Sequence, residues 1–451
     1  MSDTPLTDAI RRYRLAVSSR LHVPSHGGGP GSPALKGLWG ELLSWDVTEQ
    51  PDLDDLSHPD GPIAEAQGLA AGFFGAARAF FLTGGATLGV ESAIFAALEG
   101  GRALLAARDS HRSLLGAAAL TGMDVVLLDP ARDQGTGVSL GPSPGDVERA
   151  LFDHPDIGAV LVNYPSYLGV APDLRAIAEV AHRQGALVIA DAAHGAHFGL
   201  DPRLPAPPIA LGADLVVLGM HKTGGALTQA AMLLLGERAA GLADRVSLAI
   251  GLLGTSSPSY LLLMSVEQAL HDMRDAMPAL LATAIDLAQT VRGPARIAVS
   301  LPQDPLRVAW RAEDAAAVAQ TLALAGVRGE YVDGDTALYC VPFGARERDI
   351  EELRRVVAGL PAPPRPERSP LLAPIRIAPR SALLAGRRRV DLRRCQGMIA
   401  ADIVAPVPPG IPALWPGEPI SRETADHLFT EASKGRRIMG VDHEQVWVVA
   451  E

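Results

Sequence analysis

The stretches ALVIADAAHGAHFGL (residues 186–200) and GADLVVLGMHKTGGALTQ (residues 212–229), separated by a proline-rich turn, decide how this chain is read. Leu187–Ala190 and Leu215–Leu218 are short apolar runs with the length and branching of buried strands. Each ends in polar groups, Asp191 after the first and His221-Lys222 after the second. The carboxyl ends of parallel strands are where open α/β sheets bind ligands. A carboxylate and a lysine so placed predict pyridoxal 5'-phosphate (PLP). Its aldehyde needs an amine for a Schiff base, and its ring nitrogen needs an anion to stay protonated.

Outward from this pair, strand-like and helix-like segments alternate. Toward the N-terminus lie a helix from Ile63 to Arg78, the apolar run AFFLT, and TGGATLGVESAIFAALEGG, a glycine turn followed by a helix. Then come RALLAA, a helix from Arg112, DVVLLDP, a helix near Asp146–Phe152, IGAVLVNYP and a helix from Asp173 to Arg183. On the other side, AAMLLLG reads as a further strand. The βαβ alternation predicts an α/β fold with a mostly parallel, doubly wound sheet and right-handed crossovers.

Four regions follow from composition. Residues 1–60 are an N-terminal arm, a short helical pattern and then the loop HVPSHGGGPGSP. It builds no core of its own and is expected to wrap over another domain or subunit. Residues 61–290 form the large cofactor-binding domain, closing with a long helix from near Ser259 past Asp275. Residues 291–360 mix the short strands RVAWRA and TALYCVP with helices, as a small α+β domain does. Gly359–Pro370 is a linker, and residues 371–451 form a C-terminal domain whose proline-dense APVPPGIPALWPGEPIS excludes a central strand.

The 451 residues suffice for a large core, and 48% apolar with 20% charged residues describes an ordered globular chain. A formal charge of -11 argues against a nucleic-acid partner and is compatible with a small cationic substrate. Two cysteines, Cys340 and Cys395, make no disulfide framework and no metal-ligand spacing, and Cys340 in ALYCV reads as a buried, inert thiol. No apolar run is long enough to span a bilayer, and the N-terminus has no apolar signal core, so a soluble cytoplasmic protein is expected.

Lys222 follows a buried-looking strand and precedes TGG rather than a charged helix face, which favours a desolvated nucleophile over an ordinary surface lysine. Asp191, by residue type a common turn or capping group, would form a charge-assisted pair with a pyridine nitrogen. His194 and His197 lack a third metal ligand at suitable spacing, so no metal is expected. The turn Thr83-Gly84-Gly85-Ala86-Thr87 at a helix start suits a phosphate monoester and lacks the spacing of nucleotide fingerprints. His111 after RALLAARDS is placed to stack on a planar cofactor, and Ser166 and Tyr167 end another strand.

In these positions the chain resembles the bacterial ornithine/lysine/arginine decarboxylases of PLP fold type I over nearly its whole length. The family's PGHKGG pattern appears as Pro24-Ser25-His26-Gly27-Gly28, and its DVTE and LDDL segments as Asp46–Glu49 and Leu53–Leu56. HKS appears as His111-Arg112-Ser113 and PTYYG as Pro165–Gly169. DEAHGAH is matched by Asp191–His197, HKT…LTQ by His221-Lys222-Thr223 with Leu227-Thr228-Gln229, and TTSPSY by Thr255–Tyr260. Pro406–Glu418 resembles the C-terminal PYPPGIP…PGE.

The resemblance implies a Schiff base on Lys222, ring protonation by Asp191, stacking by His111, and phosphate binding through Gly85-Ala86-Thr87. It implies a homodimer, or a higher multiple, with shared sites, Ser256 reaching the partner's phosphate cup. It implies α-decarboxylation of lysine, ornithine or arginine, with Lys222, His194 or His221 returning the proton. Glu330, Asp333 or Asp402 would receive the substrate's distal cation. The short form, without an N-terminal wing domain, points to polyamine biosynthesis. Departures from the family pattern are Gly219 for the serine of Ser-x-His-Lys, Ala192 for a glutamate, Asp402 for a glutamate and Val407 for a tyrosine. Two alternatives stand beside this reading. One is an aminotransferase or aldolase on the same fold, with Arg380 holding the substrate carboxylate. The other is a catalytically weak relative that binds PLP and regulates another enzyme.

Overall fold

A computed structural model describes residues 2–98, 102–363, 374–406, 412–433 and 437–450. Among them, seven strands make one sheet: β1 (Arg78–Leu82), β2 (Ala103–Ala107), β3 (Val125–Leu128), β4 (Ile157–Asn163), β5 (Leu187–Ala192), β6 (Leu215–Leu218) and β7 (Ala231–Leu235). Their order is β1-β7-β6-β5-β4-β2-β3. β2 pairs in parallel with β3 and β4, and β5 with β6, while β7 runs antiparallel to both β1 and β6. The fold is thus a mostly parallel α/β sheet, with one antiparallel strand, β7, between β1 and β6, that periodicity does not reveal. Short apolar runs such as AMLLL have no direction of their own. Reversal follows from the connection, which between β6 and β7 is a loop rather than a long crossover helix.

The chain divides into two compact units. The first comprises residues 1–97, 189–200 and 206–278. The N-terminal segment packs onto this unit through its first helix. Helix Pro5–Ala16 buries Leu6, Ile10 and Tyr13, and its free N-terminal amides are satisfied by a distant acid. The buried Glu267 carboxylate accepts from Leu6 N and Thr7 N, each at 2.8 Å, and from Thr7 Oγ1 at 2.5 Å. Burial pushes this carboxyl above the usual range, against the pull of those donors.

Asp54 plays the same part at helix Pro62–Phe74, accepting from Gly61 N at 2.8 Å and Ile63 N at 2.9 Å. The Asp54 carbonyl takes the Tyr260 hydroxyl at 2.6 Å, tying this cap to the start of helix Tyr260–Asp275. The helix read as running from Ile63 to Arg78 stops at Phe74, where Gly75 adopts a left-handed φ of 66° and closes the last turn. The long helix past Asp275 is two, broken at Ala276 before Met277–Thr290.

The second unit comprises residues 98–188, 201–205 and 279–451. It contains a small antiparallel sheet of Arg307–Arg311, Thr336–Cys340 and Tyr331–Asp333, and a second of Arg387–Asp391, Gln445–Val449 and Val441–Asp442. A separate apolar cluster of Leu392, Val404, Leu414, Leu428, Val446 and Val448 underlies the latter. Cys340 is exposed at its strand end, where the Arg307 guanidinium meets its Sγ at 2.9 Å, correcting the buried thiol read from ALYCV. No helix among the described residues is long and apolar enough to cross a membrane. Residues 364–370 of the linker and Val407 lie outside the described residues.

Candidate active site

The two strand ends that open the sequence reading lie in the first unit. β5 and β6 pair with Asp191 opposite Val217 and Ala192 opposite Leu218, so the carboxylate and the lysine turn leave the same edge of the sheet. Asp191 is buried, and its Oδ1 accepts from Ala193 N at 3.1 Å, a local turn that fixes the carboxylate at the strand mouth. β6 runs through Gly219 into the single helical turn Met220–Thr223. There Lys222 is exposed, with its Nζ 2.9 Å from Nε2 of the half-buried His194. Thr223 Oγ1 accepts from Ala196 N at 3.1 Å, tying the lysine turn to the HGAH turn.

His221 points the other way. Its backbone N–H and its Nδ1 both meet the Ala230 carbonyl, at 3.2 and 3.1 Å. A carbonyl can only accept, so Nδ1 carries a proton. The next residue back, Gln229, has a φ of 81° and its carbonyl faces Gly85, whose own φ is 72°. Gly85 opens the 13-residue helix Gly85–Ala97, where its left-handed φ suits glycine. Gly85 and Ala86 are half-buried and Thr87 is exposed. An accessible amine, a buried carboxylate and a helix start with a hydroxyl match an aldehyde, a pyridine nitrogen and a phosphate monoester, so these residues fit PLP. Ser256 is exposed in the loop after helix Ala243–Leu253.

The second unit carries the other candidates. His111 is exposed just beyond β2, and its Nδ1 accepts from Ser113 N at 3.2 Å. The preceding residues are braced. Asp109 accepts from Ser139 Oγ at 2.5 Å, its carbonyl accepts from Asn163 Nδ2 at 3.0 Å, and burial pushes its carboxyl upward. Arg108, also buried, pairs with the buried Glu418 and places Nε 3.0 Å from Asp129. Burial likewise pushes the Glu418 carboxyl up, with Arg108 pulling it back.

Ser166 Oγ accepts from Val170 N at 3.2 Å. Glu330 is exposed and accepts from the Tyr167 hydroxyl at 2.7 Å. Asp333 ends strand Tyr331–Asp333. Asp402 lies 3.7 Å from Arg387 and Arg380 donates to the Leu120 carbonyl at 3.4 Å, so each already has a partner. Three residues escape sequence reasoning as site-builders: Thr223, Arg108 and Glu418. The last two sit 310 positions apart, and no spacing rule joins them.

The fold and the lysine–carboxylate arrangement define the class, PLP fold type I. The family described as Orn/Lys/Arg decarboxylase matches through its major domain at residues 4–302 and its C-terminal domain at residues 375–444. The chain belongs to this family, and is by class an amino-acid decarboxylase. "Uncharacterized protein YaaO" of Bacillus subtilis (strain 168) is 31% identical over 97% of this chain and 96% of its own. An "Arginine decarboxylase" of the same organism is 29% identical over 99% and 97%. Among solved structures, lysine decarboxylase A from Pseudomonas aeruginosa superposes with a TM-score of 0.84 at 19% identity, over 99% of this chain and 80% of that one. That likeness supports the fold.

Proposed function

We propose that this protein is a PLP-dependent α-decarboxylase of a basic L-amino acid, lysine, ornithine or arginine, releasing carbon dioxide and a polyamine precursor. The observation that carries the reading is the accessible Lys222 amine beside His194 on the strand next to the buried Asp191 carboxylate. When bound, PLP supplies an electron sink for the pair released as the Cα–carboxylate bond breaks. Lys222 would hold the cofactor through its aldehyde carbon. Asp191 keeps the ring nitrogen protonated, and its burial strengthens that pair. The turn at Gly85–Thr87 holds the phosphate with backbone amides and the Thr87 hydroxyl. The family resemblance assigns ring stacking to His111.

After carbon dioxide leaves, a proton must reach Cα. Lys222 Nζ, in hydrogen-bond contact with His194, is the donor that the geometry favours, since proton exchange between two nitrogens 2.9 Å apart needs no rearrangement. Arginine is the first substrate to test, because full-length relatives from Bacillus subtilis and Halalkalibacterium halodurans carry the name arginine decarboxylase. For the distal cation, Glu330, Asp333 and Asp402 are the candidate acids. In this reading the enzyme is a cytoplasmic homodimer with shared sites, the exposed Ser256 reaching the partner's phosphate cup as the family resemblance implies. Borohydride reduction of the PLP-loaded protein followed by peptide mapping tests the assignment. A pyridoxyl adduct on Lys222 is expected, and an adduct on another lysine, or none, contradicts it.

A further inference from the structure

Gly219 links β6 to the lysine turn with φ −86° and ψ 89°, a conformation open to any residue. Its requirement for glycine is therefore one of space. A Cβ built there would lie 2.5 Å from the Ala193 carbonyl oxygen and 3.3 Å from Lys222 Cδ. The first is a collision with backbone, which cannot rotate away as a side chain can. Three further contacts converge on the spot. Lys222 N donates to Gly219 O at 3.0 Å, Ala193 N is fixed on Asp191 Oδ1 at 3.1 Å, and His194 next in sequence meets Lys222 Nζ at 2.9 Å.

We infer that Gly219 is a positioning residue: the absence of a side chain lets the Ala193–His194 peptide close against the lysine turn, and this approach sets the Lys222–His194 contact. The inference rests on the PLP reading of the same site. It reverses the simplest view of Gly219 as a lost phosphate ligand, since a serine hydroxyl cannot be added here without the Cβ that collides.

PLP affinity of the apo protein, titrated by visible absorbance, separates the two for Gly219→Ala and Gly219→Ser. Both variants carry the same Cβ and differ only in the hydroxyl. Both are expected to bind PLP about tenfold or more weakly and to about the same extent, as overpacking predicts. Gly219→Ser binding as tightly as the parent overturns the inference. The single variant His194→Ala does not depend on how the glycine variants fold. It is expected to weaken PLP binding in the parent and to make Gly219→Ala nearly neutral in its background. Parent-like affinity of His194→Ala, or an undiminished effect of Gly219→Ala beside it, also overturns the inference. A parent chain that binds no PLP overturns the proposed function instead.

Discussion

The Arg108 guanidinium and the Glu418 carboxylate form a buried ion pair that joins the strand end before His111 to the C-terminal part of the second unit. Glu418 also accepts from Trp415 N at 3.0 Å, so its loop closes on the same carboxylate. Removing Arg108 strands the Glu418 carboxylate in a low-dielectric site, at a cost of about 3–5 kcal/mol. Arg108→Met should lower the unfolding free energy measured in urea by that amount. The double variant Arg108→Met, Glu418→Met should recover most of the loss. A double variant as unstable as the sum of the singles contradicts the pairing.

The Glu267 carboxylate is the N-cap of helix Pro5–Ala16, supplied from 260 positions away. Glu267→Ala should cost about 1–2 kcal/mol and release hydrogen-exchange protection first at residues 8–12. Loss of protection spread evenly over the first unit would show that the helix is held by packing alone.

Burial is the main cause that raises the Asp109 carboxyl, with the Ser139 hydroxyl opposing it. An acid raised in the native state binds its proton more tightly there than in the unfolded chain. Its contribution to stability is full below the ordinary carboxylate value and is lost as pH rises through the native one. Asp109→Asn keeps the acceptor for Ser139 and removes the charge. The variant should therefore be more stable than the parent at pH 7 and should lose part of the decline that the parent shows above ordinary carboxylate pH. Denaturant unfolding across that range reads both. Lower stability at pH 7 together with an unchanged pH slope contradicts this.

The phosphate turn makes a separate prediction. Thr87 stands exposed in the first turn of helix Gly85–Ala97, whose first residue, Gly85, faces the Gln229 carbonyl of the lysine loop. Thr87→Ala removes one hydroxyl and leaves the backbone amides. It should weaken PLP binding about tenfold, the worth of one hydrogen bond to a charged group, with apo stability unchanged. Undiminished affinity would place the phosphate elsewhere.

The sheet was legible because its strands are apolar runs of four to seven residues bounded by glycine, proline or polar groups, and Leu215–Leu218 agrees residue for residue. Asp191 and Lys222 were legible because chemistry at parallel strand ends leaves a polar residue after an apolar run. Direction was not legible, so the antiparallel β7 went unread. Nor was the place of the N-terminal helix, which depends on Glu267 far along the chain. The exposure of Cys340 escaped because alternation in TALYC does not say where the strand leaves its neighbours. The contacts of Asp402 with Arg387 and of Arg380 with the Leu120 carbonyl were not legible either, because no spacing rule joins those positions.

Carbon dioxide release from lysine, ornithine and arginine, assayed side by side with the PLP-loaded protein and with Lys222→Ala, tests the central claim most directly. At least one of the three should yield carbon dioxide and the matching amine in equal amounts, with a loss on the order of 10³-fold in Lys222→Ala. Keto acid without carbon dioxide, or release that is unchanged by Lys222→Ala, would contradict the account.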